Sequence, residues 1–165
     1  MYQAAVIIHI LSAITWLGGT LFLLMVLIPL ARKQVDSPMQ GMMIVRQAAQ
    51  RFLPVAWASI FLLAVTGIYL ATGHWNVSVG DFFSGEGRFI QVLQVKTGLA
   101  ALVIILSLAH DFVLGPWVMN KLEAARATGG PPPVIPAGKM ILMIARVNLI
   151  MVLAILCLAV FLIRP

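Results

Sequence analysis

Apolar residues fill four long stretches of the chain, and polar residues are confined to the shorter segments between them. The stretches cover residues 4–31, 52–73, 89–116 and 140–163. Each exceeds the roughly 20 residues that an α-helix needs to cross about 30 Å of hydrocarbon. The pattern predicts an all-α fold, a single domain built as a four-helix transmembrane bundle running up-down-up-down. The first run has no Lys or Arg ahead of it and is too long for the apolar core of a secretion signal, so it is expected to be a retained span.

The connections differ in character. Residues 32–51 are basic, and their second half is expected to be a helical lead-in to the second span. Residues 74–88 are rich in Gly and Ser and hold Trp75, Asp81 and Glu86. Residues 117–139 contain Gly129, Gly130, Pro131, Pro132, Pro133 and Pro136, a run that reads as a stiff linker. No internal repeat is evident in the sequence. Arg32, Lys33, Arg46, Arg51, Lys121, Arg126 and Lys139 lie in the first and third connections, against Arg88 and Arg164 on the opposite side. By the positive-inside rule the basic connections are cytoplasmic and both termini lie outside. Trp75 and Trp117 fall where interfacial aromatic anchors belong.

Composition agrees with this placement. The chain is 62% hydrophobic and 10% charged, well below the quarter charged of a soluble domain, and its mean hydropathy is +1.05. A formal net charge of +6 does not indicate a nucleic-acid partner, because the charges sit in short loops beside apolar runs. The partner is the lipid bilayer, with the cell inner (plasma) membrane as the expected location. The sole cysteine, Cys157, lies inside the fourth run and is expected as a buried structural thiol. CxxC, HExxH, P-loop and GxSxG motifs are absent from the sequence.

An ionisable group inside a span is costly and is a functional hypothesis by default. At 1.5 Å per residue, His9, Lys96 and His74 fall about 12, 9 and 18 Å to the outer side of the midplane. His110 and Arg146 fall about 12 and 8 Å to the inner side, with Asp111 and Asn148 beside them. His9 and His110 are therefore about 24 Å apart along the membrane normal and cannot share one metal, whose ligands each sit about 2 Å away. His9 and His74 differ by only about 6 Å in depth and can face each other across a metal or a haem. Other readings remain open. His9 can bond a neighbouring helix, His74 can be an interfacial residue in solvent, and Lys96 can snorkel outward. His110, Asp111, Arg146 and Asn148 read as a structural polar cluster without a metal, Arg146 neutralising Asp111. Met39, Met42 and Met43 in the first connection, with Met140 and Met143 on the fourth span, suit Cu(I), but methionine also fills gaps between apolar helices.

The run from His9 through Trp16, Gly18 and Gly19 to Phe22 resembles the opening helix of the copper resistance protein D (CopD) family. Val65 to Tyr69 resembles its second helix, Lys96 followed by His110 to Pro116 its third, and Arg146 to Asn148 the start of its fourth. The resemblance covers nearly the whole chain. The pattern is also similar, more distantly, to the HemJ-type protoporphyrinogen oxidases, a haem b family with a first-helix His seven residues before Trp, a third-helix Lys and a late Arg and Asn. This chain departs from them in having no Glu after Asn148 and a longer spacing from Lys96 to His110.

These resemblances imply a redox-active cofactor near the outer face. Haem b is preferred over copper, because four-helix bundles hold cofactors between facing helices. His9 is the expected axial ligand and His74 the second, with Trp16 on the same face as His9. Lys96 would pair with a propionate or serve as an alternative ligand. Electron transfer with a quinone or a periplasmic redox partner follows. The alternatives are copper import or tolerance, with a copper-carrier protein as partner, and a structural subunit of a larger membrane complex. The oligomeric state stays open.

Overall fold

Every regular element among the described residues is helical, because a backbone in hydrocarbon must satisfy its N–H and C=O groups within its own segment. The computed structural model describes residues 1–33, 38–127 and 136–163. Residues 131–133 of the expected proline linker, and Arg164, lie outside the described residues. Four helical stretches are long and apolar enough to cross a membrane, Tyr2–Ala31, Gln40–His74, Arg88–Lys121 and Met143–Phe161. They match the four predicted runs. The second and third reach beyond the prediction on the side of the basic connections.

The chain divides into two compact units, Met1–Ser84 and Gly85–Pro165. In the first, α1 (Tyr2–Leu21) passes through a π-helical turn at Phe22–Leu27 into α2 (Ile28–Lys33). The long α3 (Pro38–Tyr69) returns against α1 and ends in a second π turn, Leu70–His74. The expected lead-in before residue 52 is thus part of α3 itself. In the second unit, α5 (Arg88–Leu108) passes through a π turn at Ala109–Leu114 into α6 (Gly115–Ala127), and α7 (Pro136–Ile163) packs on α5. Pro136, read as part of the linker, instead opens α7, where its missing N–H costs nothing and its fixed φ suits the first turn.

Both units open on one plan that the sequence concealed. Ile28 N donates to Leu23 O, five residues back, just before Pro29. Gly115 N donates to His110 O in the same way, just before Pro116. A proline offers no amide and its ring crowds the carbonyl four residues back. The wider π turn relieves that crowding, so the helix continues to Ala127 where Pro116 was expected to end it. His9 precedes Pro29 by 20 residues, and Lys96 precedes Pro116 by the same 20.

Packing is inverted relative to a water-soluble domain. The buried positions are mostly small or hydroxylated: Ser12, Ala31, Ala56, Ser59 and Thr66 among them. Phe61 is 66% exposed and Ile150 66%, as suits side chains whose solvent is lipid. Small residues let helices approach closely. Hydroxyls along the helices are satisfied by the carbonyl one turn back, Ser59 donating to Val55 O at 2.8 Å and Thr20 to Trp16 O at 2.9 Å. Cys157 is exposed on α7 rather than buried, because apolar character selects no inner face in this setting.

The connection at residues 74–88 holds a short helix that the sequence reading missed, α4 (Val79–Ser84). Ser78 and Asp81 cap it reciprocally, with Ser78 Oγ and N donating to Asp81 Oδ2 at 2.6 and 3.0 Å and Asp81 N donating to Ser78 Oγ at 3.1 Å. The Ser78 hydroxyl, and after it the Ser78 amide, hold the Asp81 carboxyl below its ordinary value of 3.8. A carboxyl whose folded pKa is depressed supports the fold above its unfolded value and loses that support as pH falls through the folded one. The Ser78 and Asp81 amide proton shifts should therefore be flat from pH 7 to pH 5 and move together below about pH 4. Asp81→Asn should abolish that movement. Gly85 and Gly87 then turn the chain into α5 at φ +71° and +86°, a region that side chains rarely adopt.

Candidate functional site

The first unit holds its ionisable group on a seam of small residues. His9, Ser12, Trp16 and Gly19 follow one another at helical spacing along α1. Against them α3 sets Phe52, Ala56, Ser59, Thr66 and Gly67. A side chain at Gly19 would collide with the Phe52 ring, and one at Gly67 would touch His9 Cε1 at 3.5 Å. Farther along, Tyr2 meets His74. The pairs Gly19–Phe52, His9–Thr66 and Tyr2–His74 fix the antiparallel register.

His9 lies half-buried with Nδ1 at 2.8 Å from Thr66 Oγ1. Thr66 itself is buried, and its hydroxyl donates to Leu62 O at 2.5 Å. A hydroxyl has one proton. With that proton directed to Leu62, Thr66 Oγ1 acts as acceptor and His9 Nδ1 must be the donor. A neutral His9 then has its lone pair on Nε2. This is the supporting arrangement of ligating histidines, in which a bond at one ring nitrogen sets the tautomer and orientation of the other. Thr66 and Leu62 were not singled out from the sequence. The Thr66–Gly67 pair carries the signal, a polar group and a gap side by side, but its partner is visible only once α1 and α3 are in register.

His74 has a different partner. It is exposed in the π turn, stacks on Tyr2 with ring centroids 3.9 Å apart at 24°, and meets Trp75 at 6.1 Å. Thr66 and His74 are eight residues apart on one helical stretch, about 12 Å of rise. The structure brings His9 to Thr66 and His74 to Tyr2; it does not bring the two imidazoles together. Trp16, half-buried, shares the His9 face.

In the second unit, Lys96 lies half-buried on the face of α5 that also carries the buried Leu93, Val103 and Ser107. Among the described residues it makes no hydrogen bond or ion pair. The expected four-residue polar cluster divides into two pairs. His110 Nδ1 donates to Asp111 Oδ1 at 2.8 Å, and Asn148 Nδ2 donates to Ser107 Oγ at 3.0 Å. Arg146 is exposed and joins neither, making no ion pair or hydrogen bond among the described residues. A long basic side chain near a helix end can reach polar surroundings unaided. In the first half of α6, Lys121 Nζ sits 4.3 Å from the centre of the Trp117 ring, a cation–π contact suited to an interface. No group of three or more His, Cys, Asp or Glu side chains is placed to hold a metal among the described residues.

The chain is 28% identical over 116 residues to an uncharacterised protein of Aquifex aeolicus (strain VF5), covering 70% of this chain and 71% of that one. No protein-family profile matches the chain, and no solved structure does.

Proposed function

We propose that this is a multi-pass protein of the cell inner membrane, with both termini outside, that holds haem b through His9 and passes electrons to or from a quinone or a periplasmic partner. The His9–Thr66–Leu62 chain of hydrogen bonds carries the reading. It fixes the ring and, with Nδ1 donating, turns the lone pair of a neutral imidazole to Nε2, the atom that would hold the haem iron. Gly67 lies against the same ring edge, where a Cβ would stand 3.5 Å from His9 Cε1. Bound haem would supply reversible one-electron exchange at iron, its potential set by the ligand and by hydrogen bonds behind it. Within the unit, His9 ligates, Thr66 orients His9, and the Leu62 carbonyl orients Thr66. His74, stacked on Tyr2, would help to hold the group only after leaving that stack. The charge asymmetry between connections supports the stated orientation.

An absorbance spectrum of the purified protein tests the reading. A reducible Soret band is expected. Stoichiometric copper without that band would replace it with copper handling, and neither would leave a structural role. Thr66→Val should lower haem affinity about tenfold, the lower end of what loss of a ligand's supporting bond costs. Thr66→Ser, which keeps the hydroxyl, should restore it. Equal affinity in Thr66→Val and the parent would remove the main support for His9 as ligand.

A further inference from the structure

The second unit carries chemistry that its architecture does not require. In the first unit the π turn before Pro29, Phe22–Leu27, is built from apolar residues alone. Leu23 O accepts from Ile28 N there as His110 O accepts from Gly115 N in the second unit, so Leu23 and Leu24 hold the places of His110 and Asp111. Accommodating the proline therefore calls for no histidine and no carboxylate.

Two hydrogen-bond acceptors are set up here. An ionised carboxylate only accepts, so across the 2.8 Å contact with Asp111 His110 Nδ1 donates, and a neutral His110 then has its lone pair on Nε2. One turn earlier, Asn148 Nδ2 is spent on Ser107 Oγ, while Asn148 Oδ1 is buried with no partner among the described residues. A buried acceptor left unsatisfied is costly, and more so at membrane depth. Both acceptors call for a donor. The His110 and Asp111 side chains are 31% and 22% exposed, and Val113, three residues after His110 and on its face of the helix, is 63% exposed. An exposed apolar side chain beside His110 suits a ligand dissolved in lipid.

We propose that this end of the second unit binds a hydroquinone headgroup, its hydroxyls donating to His110 Nε2 and Asn148 Oδ1. A hydroquinone combines hydroxyl donors with an apolar ring and tail. The oxidised quinone presents only carbonyl acceptors, which meet two further acceptors here, so the site discriminates by redox state. The site lies in the opposite unit from His9 and stands or falls independently of haem binding there.

Isothermal titration of the full-length protein in lipid nanodiscs with a short-chain ubiquinol, kept reduced under anaerobic conditions, and separately with the matching ubiquinone tests this. Reduced ligand should bind at least about tenfold more tightly, the equivalent of one net hydrogen bond. Asn148→Leu keeps the side-chain volume and removes the buried oxygen. It should weaken quinol binding about tenfold, as should His110→Phe, and Gly18→Ala, where the added Cβ meets nothing within 4 Å, should leave the affinity unchanged. Equal affinity for the two redox forms would overturn the proposal, as would quinol binding indifferent to both substitutions. Stoichiometric uptake of Zn²⁺ that His110→Phe abolishes, with no quinol binding, would reassign the acceptors to a cation.

Discussion

Replacing His9 with Ala is expected to abolish the reducible Soret band of the purified protein while the helices remain folded. On the proposed function, His9 would be the residue that holds the haem, and no second imidazole stands within a turn to substitute for it. The fold should tolerate the change. The Thr66 hydroxyl keeps its donor bond to the Leu62 carbonyl, so truncating His9 strands no buried proton. The stability cost should stay near the 0.5–1.5 kcal/mol of one ordinary hydrogen bond. Far-ultraviolet circular dichroism and a detergent melting curve separate loss of cofactor from loss of structure. His110→Ala should retain the band. A Soret band that survives His9→Ala and disappears with His74→Ala or His110→Ala would move the ligand elsewhere and leave the fold intact.

The second large effect is structural. Gly41 is buried near the start of α3, and a Cβ there would run into the backbone carbonyl of Ala31. Backbone cannot rotate aside as a side chain can, so the two helices must separate. Gly41→Ala should destabilise the first unit by about 1–3 kcal/mol, the usual cost of overpacking, and Gly41→Val by more. Gly18 is the control, because a Cβ at Gly18 meets nothing within 4 Å. Gly18→Ala should be neutral or should raise the melting temperature through the roughly 1 kcal/mol that alanine gains over glycine in a helix. Gly19 falls between them, since the obstructing group is the Phe52 ring, which can turn. Equal melting temperatures for Gly41→Val and Gly18→Ala would contradict the close approach at Ala31.

The long apolar runs were legible because hydrocarbon allows them one backbone solution. His9 was legible as an ionisable group on the face of Trp16, but its partner was not, because a threonine in a helix ordinarily bonds its own backbone and Thr66 does that as well. Neither Pro29, inside the first predicted run, nor Pro116, at the predicted end of the third, ends a helix, although proline rules drawn from water favour ending one. In lipid an ended helix would expose unpaired backbone, and a π turn is the smaller disturbance. The inner pairing failed on another ground. Arg146 and Asp111 agree in depth, but depth says nothing about the direction a residue faces around its helix. Asn148 faces Ser107; Arg146, two residues earlier, is turned by roughly 200° and points away. Cys157 was expected inside for its apolarity, a criterion that loses its meaning when the surroundings are equally apolar.

The division after Ser84 bears on biosynthesis. Everything that pairs α1 with α3 lies within Met1–Ser84, so the first hairpin is complete before the second has been translated. At about 5–20 residues per second, the next 80 or so residues occupy the ribosome for roughly 4–16 s. Helix formation takes on the order of a microsecond. The bond between His9 and Thr66 is thus available to form while the chain is nascent, and a lesion such as Gly41→Val meets the insertion and quality-control machinery before any residue of α7 exists.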